Sequence, residues 1–241
     1  MYLAIDTATP WCSVALVAGD QKRAESSQVV RNAGPVLIDQ IDDVMVEAGV
    51  SRRGLEGVAV GIGPGPYTGT RIGVTVARTL ALALSIPVVG ICTLDAIAAQ
   101  VIADGWPAEF IVATDARRGE VYWAHYDSAG RRLLGPAVTK PVSVLERFAQ
   151  LPWFGVGVER HAAVVDAAGI ELSEVDRFVG QVGQLAARGI AAGQQVPESE
   201  PELVDHAATG GAGSVVTLPL GLMAAYPLYL RRPDAVAPAG R

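Results

Sequence analysis

Two related α/β domains are the architecture this sequence predicts, and three observations carry the prediction. Within the first hundred residues, β-type runs and helix-period segments follow one another as β-β-β-α-β-α-β-α. A strand ending in aspartate just before a hairpin occurs twice. The first copy is Ala4-Ile5-Asp6-Thr7-Ala8, then Ser13 to Val17, closed by Ala18-Gly19-Asp20; the second is Ala113-Thr114-Asp115-Ala116, then Glu120 to Tyr126, closed by Asp127-Ser128-Ala129-Gly130. A chain of 241 residues that is 50% hydrophobic and 18% charged also has ample apolar surface for one or two compact cores. Asp104-Gly105-Trp106-Pro107 reads as the hinge, giving domains over 1–103 and 104–241. Strand-Asp-turn-strand is a common arrangement, so coincidence stands beside duplication at this point.

Taken in order, Tyr2 to Thr7 and Cys12 to Val17 are expected strands joined at Thr9-Pro10-Trp11, with a third near Arg23 to Val30 after the Gly19-Asp20 turn. From Pro35 to about Ala48, Leu37, Ile41, Val44, Met45 and Ala48 keep helical spacing, with Asp39, Asp42, Asp43 and Glu47 on the other side. Pro35 suits the first turn and Gly49 the end. A strand over Val58 to Ile62, a helix from about Arg71 to Leu84, a strand over Val88 to Ile91 and a helix opened by Thr93 with Asp95 in its first turn follow. The second half adds a strand near Ala137-Val138, a helix near Val142 to Leu151 and the strand Phe154 to Val158. Gln194 to Gly213 is polar and broken by prolines and glycines, which predicts a mobile loop. Ala225 to Ala235 reads as an extended packed segment, and Val236 to Arg241 as a loose tail.

Between the fourth strand and its helix lies a loop with Gly61, Gly63, Gly65 and Gly69, stiffened by Pro64 and Pro66. Such a loop brings bare backbone close to something. Thr68 or Thr70 is the expected cap, and Arg71 in the first turn opposes the helix dipole, so an anion, a carboxylate or a partner group is expected nearby. A Walker loop needs a glycine five residues after Gly63, where Thr68 stands, followed by Lys-Ser/Thr, and the segment has no lysine; a dinucleotide fingerprint would need glycine at Pro66 or Thr68. Neither is present. Tight packing and ligand binding both remain open for the loop, whose structural positions are Gly63, Gly65, Thr68 and Gly69.

A net charge of −6 argues against this chain gripping nucleic acid alone. The opening Met1-Tyr2-Leu3-Ala4-Ile5-Asp6 has no positive n-region, and the most apolar window, Ile72 to Ile91, is broken by Arg78 and Pro87. Neither secretion nor membrane spanning is expected. Cys12 and Cys92 form no Cys-x-x-Cys, in keeping with a reduced cytoplasm. His125, His161 and His206 make no paired metal motif, and no Gly-x-Ser-x-Gly elbow occurs, so neither a catalytic residue nor a metal ligand is assigned. Asp6 and Asp115 either face each other across a cleft to hold Mg²⁺ or a water, or cap their own turns. Arg117-Arg118-Gly119-Glu120 is either an anion site or a charged hairpin tip. The helix to Leu84 is apolar nearly all round, with Ile72, Val76, Leu80 and Ala83 on one side and Val74, Ala77, Ala81, Leu82 and Leu84 on others. One sheet cannot cover all of it, so the helix is either sandwiched inside a domain or shared with another subunit, and its small alanines favour the subunit interface.

Ile5-Asp6-Thr7-Ala8-Thr9 with Cys12 to Leu16, the run Gly63 to Gly73, Asp115-Ala116-Arg117-Arg118-Gly119-Glu120-Val121-Tyr122 and Pro227-Leu228-Tyr229-Leu230-Arg231 together resemble the TsaB family, also called YeaZ. The resemblance spans nearly the whole chain. It implies two actin-like (ASKHA, ribonuclease H-like) domains from an internal duplication, each a mixed five-stranded sheet flanked by helices. It also implies a non-catalytic paralogue and scaffold for TsaD, acting with the ATPase TsaE to transfer threonylcarbamoyl from threonylcarbamoyl-AMP to the adenosine beside the anticodon of ANN-decoding tRNAs. TsaD and TsaE homologues, tRNA through the complex and, in isolation, a homodimer are the implied partners; a cytoplasmic location and no cofactor follow. Carried onto this chain, the TsaD-facing surface comprises Leu37, Ile41, Met45, Arg71, Ile72, Val76, Leu80 and Ala83. Actin-like ATPases have Asp-x-Gly-Thr at the first phosphate turn, whereas Asp6-Thr7-Ala8-Thr9 places a methyl there, leaving Asp6, Thr7 and Asp115 as weak nucleotide candidates. An active actin-like ATPase or small-molecule kinase is the alternative. The segment entering the first helix, Arg31 to Pro35, and the Gly/Ala-rich stretch Ala207 to Leu222 depart from the family pattern.

Overall fold

The computed structural model describes residues 1–156, 158–175, 177–197 and 221–230. His206, most of the polar 194–213 segment, the Gly/Ala-rich stretch as far as residue 220 and the tail lie outside them.

Strands β1 (Tyr2–Asp6), β2 (Trp11–Ala18), β3 (Gln21–Val29), β4 (Gly57–Gly61) and β5 (Val88–Ile91) form one sheet in the order β3-β2-β1-β4-β5. β6 (Phe110–Asp115), β7 (Val121–Tyr126), β8 (Arg132–Thr139), β9 (Trp153–Val156) and β10 (Leu172–Glu174) form the other, in the order β10-β9-β6-β7-β8. Read from its far edge, the second order is β8-β7-β6-β9-β10, which matches the first strand for strand. Each sheet has an antiparallel meander followed by parallel additions, with β1 antiparallel to β2 and parallel to β4, and β6 antiparallel to β7 and parallel to β9. The match extends to single atoms. The Ala8 N–H donates to Asp6 Oδ1 at 2.9 Å, and the Arg117 N–H donates to Asp115 Oδ1 at 3.0 Å, so each first strand ends in the same aspartate-capped turn. Duplication therefore outweighs coincidence.

Alternation along the strands sorts the layers. A side chain added at Gly73, in helix α2 (Tyr67–Leu84), would meet Ile5, whereas one added at Gly183, in the last described helix, would meet Ala4. The two helices thus cover opposite faces of the first sheet. Helix α1 (Gly34–Glu47) lies on α2's side, where Gly34 approaches Ile72. In the second sheet, Phe110 and Val112 face the large core shared with helix α3 (Thr93–Ala103). Ile111 and Ala113 face a smaller core with Val144 of α4 (Pro141–Arg147) and Val165 of α5 (Ala162–Asp166).

Helix α6 (Val179–Ala191) belongs to the second half of the sequence but packs on β1, β2 and β4 of the first sheet and against α3. Glycines at 180, 183 and 189 lower its intrinsic helix propensity, so sequence alone predicts no helix there. Those glycines let it lie close to the sheet: a Cβ at Gly183 would come within 2.8 Å of a Val17 methyl. Other boundaries move as well. α2 starts at Tyr67 rather than near Arg71, and neither Thr68 nor Thr70 caps it; Pro66 occupies the N-cap position, and the Thr70 hydroxyl donates to the Pro66 carbonyl at 3.0 Å. α4 ends at Arg147, short of Leu151. Among the described residues, no helix is long and apolar enough to cross a membrane.

Candidate functional site

The glycine loop is folded onto the chain's own first turn. Cβ atoms added at Gly65 and Gly69 would overlap the Ala8 and Thr7 carbonyl oxygens, and one at Gly61 would overlap the Asp6 carboxylate. One at Gly73 would overlap the Thr7 hydroxyl, which donates to the Gly69 carbonyl at 2.7 Å and accepts from the Gly73 N–H at 3.1 Å. Between the two readings of the glycines, close packing is what the geometry shows. Gly63 has φ of +98°, a conformation suited to glycine, and its N–H donates to the Thr93 hydroxyl at 3.1 Å. Thr68 lies exposed on the first turn of α2.

Asp6 is fully buried beneath this loop. One carboxylate oxygen accepts the Ala8 N–H and the other the Thr93 hydroxyl at 2.8 Å. Desolvation pushes its pKa up to about 6, against the lowering effect of those two hydrogen bonds. A carboxyl so enclosed, with both oxygens turned inward, is a structural group and offers no open position for a solvated ion. Asp115 accepts the Arg117 N–H and lies 3.3 Å from His161 Nε2 and 3.5 Å from Arg160 Nη1. Each aspartate is thus engaged by neighbours within its own half of the chain, and neither hydrogen-bonds to the other. Among the described residues, no three His, Cys, Asp or Glu side chains are grouped to hold a metal. Burial raises the thiol pKa of Cys12 to about 11 and of Cys92 to about 12, which keeps both unreactive.

The helical surface is where apolar groups remain uncovered. Leu37, Ile41 and Met45, expected at a partner interface, are buried in the chain's own core against the first sheet. Their spacing marks the inner face of α1. The outer face instead presents Ile38, 47% exposed, and Val46, 81% exposed, while α2 presents Leu82, 82% exposed. Ile72, Val76 and Leu80 are half-buried, and Ala83 and Arg71 are exposed. Sequence periodicity identifies α2 as incompletely covered because its apolar residues go all round. The α1 residues that the resemblance assigns to the interface, Leu37, Ile41 and Met45, lie on the core side, which is the side an amphipathic pattern shows most clearly.

A model of the family described as TsaD, tRNA N6-adenosine threonylcarbamoyltransferase, matches residues 28–179. TsaB of Escherichia coli, a tRNA threonylcarbamoyladenosine biosynthesis protein, is 37% identical over 161 residues, covering 64% of this chain and 70% of that protein. The chain belongs to the TsaB/YeaZ family. An uncharacterized protein of Mycobacterium tuberculosis is 41% identical over 145 residues, covering 59% of this TsaB-family chain and 66% of that protein, just under two thirds of its length. YeaZ from Pseudomonas aeruginosa superposes with a TM-score of 0.64 at 28% identity, over 80% of this chain and 92% of that one. With the two matching sheets, this places the TsaB-family chain in the actin-like ASKHA fold.

Proposed function

We propose that this chain is a non-catalytic scaffold subunit in the synthesis of threonylcarbamoyladenosine on tRNA, pairing with and activating a TsaD homologue through the outward sides of α1 and α2. The observation that carries the reading is a contrast. The turn that would cradle phosphate in an actin-like ATPase is filled by the chain's own glycine loop, while the helical face beside it keeps large apolar groups in water. Exposed apolar surface of this kind marks an association site. A TsaE homologue and tRNA would join through the assembled pair, in the cytoplasm, and a homodimer through the same helices would form when the partner is absent. The first domain, 1–103, supplies the pairing face.

Val76→Glu and Leu80→Glu each place a charge on that face without touching a fully buried position. Each is expected to abolish co-elution with the same organism's TsaD homologue on size exclusion, and with it tRNA modification by the fraction, while circular dichroism melting shows the fold intact. Co-elution undiminished in both variants would refute the face. ATP turnover by the isolated chain would favour the ATPase or kinase reading.

A further inference from the structure

Helix α2 has a second exposed flank with different chemistry. By helical period, Tyr67, Arg71 and Arg78 share one side, roughly 150° from the mean direction of Ile72, Val76, Leu80 and Ala83, and the exposed Leu82 lies at the border of that side, about 40° from its mean. The apolar side adjoins α1 through the Gly34 and Ile72 contact. The arginine side adjoins the 221–230 segment, held in place by the Leu228 N–H donating to the Ile62 carbonyl at 2.7 Å and by the bridge from Met223 to Gly90. Here the Arg71 guanidinium lies 5.0 Å from the Tyr67 ring centroid, and the Tyr67 ring is 4.7 Å from that of Tyr229. The Arg78 guanidinium lies 4.4 Å from the Tyr226 ring centroid.

Three properties of this flank point the same way. Neither α2 nor the 221–230 segment contains an acidic residue, although the chain as a whole carries −6. Among the described residues, neither Arg71 nor Arg78 is ion-paired to a carboxylate, and Arg71 sits at the positive end of the helix dipole with no acid in the first turn to offset it. Both guanidiniums lie within cation–π range of tyrosine rings, which leaves N–H groups for an anion, although one Arg71 N–H is spent on the Tyr67 hydroxyl at 2.9 Å. Tyr67 remains 38% exposed at the edge of this cluster. Guanidiniums without a carboxylate partner, beside aromatic rings, suit the phosphates of RNA.

We propose that the Arg71, Arg78 and tyrosine flank of α2 is the surface by which this chain touches RNA, distinct from the apolar flank that pairs with protein; Arg71, which the resemblance assigns to the TsaD-facing surface, is thereby reassigned to RNA because it lies on the opposite flank from Ile72, Val76 and Leu80. The inference rests on the tRNA-modification reading above and adds where the RNA lies. A local cationic strip on an acidic chain would contribute contacts once another subunit has brought RNA near.

The probe is a fluorophore-labelled unmodified tRNA transcript, titrated by anisotropy at several salt concentrations against the full chain alone and against the full chain mixed with the TsaD homologue. Arg71→Glu combined with Arg78→Glu is expected to weaken binding at least about tenfold in whichever sample binds, and to lower the logarithmic salt slope by about two, with co-elution retained. Arg71→Gln with Arg78→Gln should move affinity and slope in the same direction by less, which separates charge loss from misfolding. Unchanged affinity and slope overturn the proposal. Loss of co-elution in the Glu variant also overturns it and makes the flank a protein contact, and an absence of RNA binding by the wild type in both samples overturns it too. If the wild type fails to co-elute with the TsaD homologue, the pairing reading falls, and titration of the chain alone still decides the flank.

Discussion

Burial removes Asp6 from water and leaves it the Ala8 N–H and the Thr93 hydroxyl as donors, which do not offset the desolvation of a full charge. Its pKa of about 6 in the folded chain lies above the 3.8 of an unperturbed aspartate, so between these values the folded state holds the proton more often than the unfolded state does. The resulting stabilisation is complete below about pH 4 and is lost as pH rises through about 6, an effect on the order of 3 kcal/mol. Urea melts of the wild type from pH 4 to 7 are expected to show stability falling across that window relative to Asp6→Asn, whose side chain does not titrate. Parallel pH profiles for the two proteins would mean that the carboxyl is not held as the structure shows. Thr7 belongs to the same arrangement, since its hydroxyl and the carbonyl beside it meet Gly69 and Gly73. Thr7 and Asp6 thus fasten a turn to a helix.

At the scale of elements, α2 shows what local pattern reveals and what it conceals. Its existence follows from a long apolar run after a glycine loop, and its incomplete coverage follows from apolar residues lying all round it. Its start does not follow, because Pro66 occupies the cap position and the first turn is fixed by Thr7, in the turn after a distant strand, with no local signal. The same division holds elsewhere. The duplicated strand-Asp-turn is legible because Asp6 and Asp115 each recur at a strand end, whereas α6 is hidden by glycines that make sense only against Val17 and Ala4. The tyrosines that hold Arg71 and Arg78 come from both ends of the sequence, Tyr67 from α2 and Tyr226 and Tyr229 from the 221–230 segment, so spacing alone does not bring them together. The far end of α2 yields a stability prediction. Ser85 closes the helix in the left-handed region at φ 55° and ψ 41°, where a Cβ is unfavourable. Ser85→Gly is expected to raise stability by about 0.5–1 kcal/mol, measured as a higher denaturation midpoint. A lowered midpoint would mean that the hydroxyl contributes more than the backbone strain costs.

In the whole molecule, the two sheets are joined by shared packing as well as by a linker. Asp95 near the start of α3 accepts the Tyr126 hydroxyl at 2.7 Å and lies 3.2 Å from Arg132 Nε, so a helix from the first half is anchored by two side chains of the second sheet. In return, α6 covers the α3 side of the first sheet, with Gln181 donating to Gln100 at 3.3 Å, Gln184 donating to the Asp20 carbonyl at 3.0 Å and Arg188 pairing with Asp20 at 2.6 Å. Ala4 and Val17 are wholly buried, and α6 is what lies against them. Residues 1–103 alone would carry α1 and α2 on one face of the sheet but leave the opposite face short of its principal cover, and Asp95 would lose both partners. A half-bare central sheet does not gain enough burial to offset the chain entropy of ordering it. The isolated 1–103 fragment is therefore expected to show poor amide dispersion by NMR and no cooperative melt, whereas the full chain melts in one transition by calorimetry. A fragment that folds cooperatively would show that α6 is dispensable to the first sheet, and it would allow the pairing face on α1 and α2 to be carried by that domain alone.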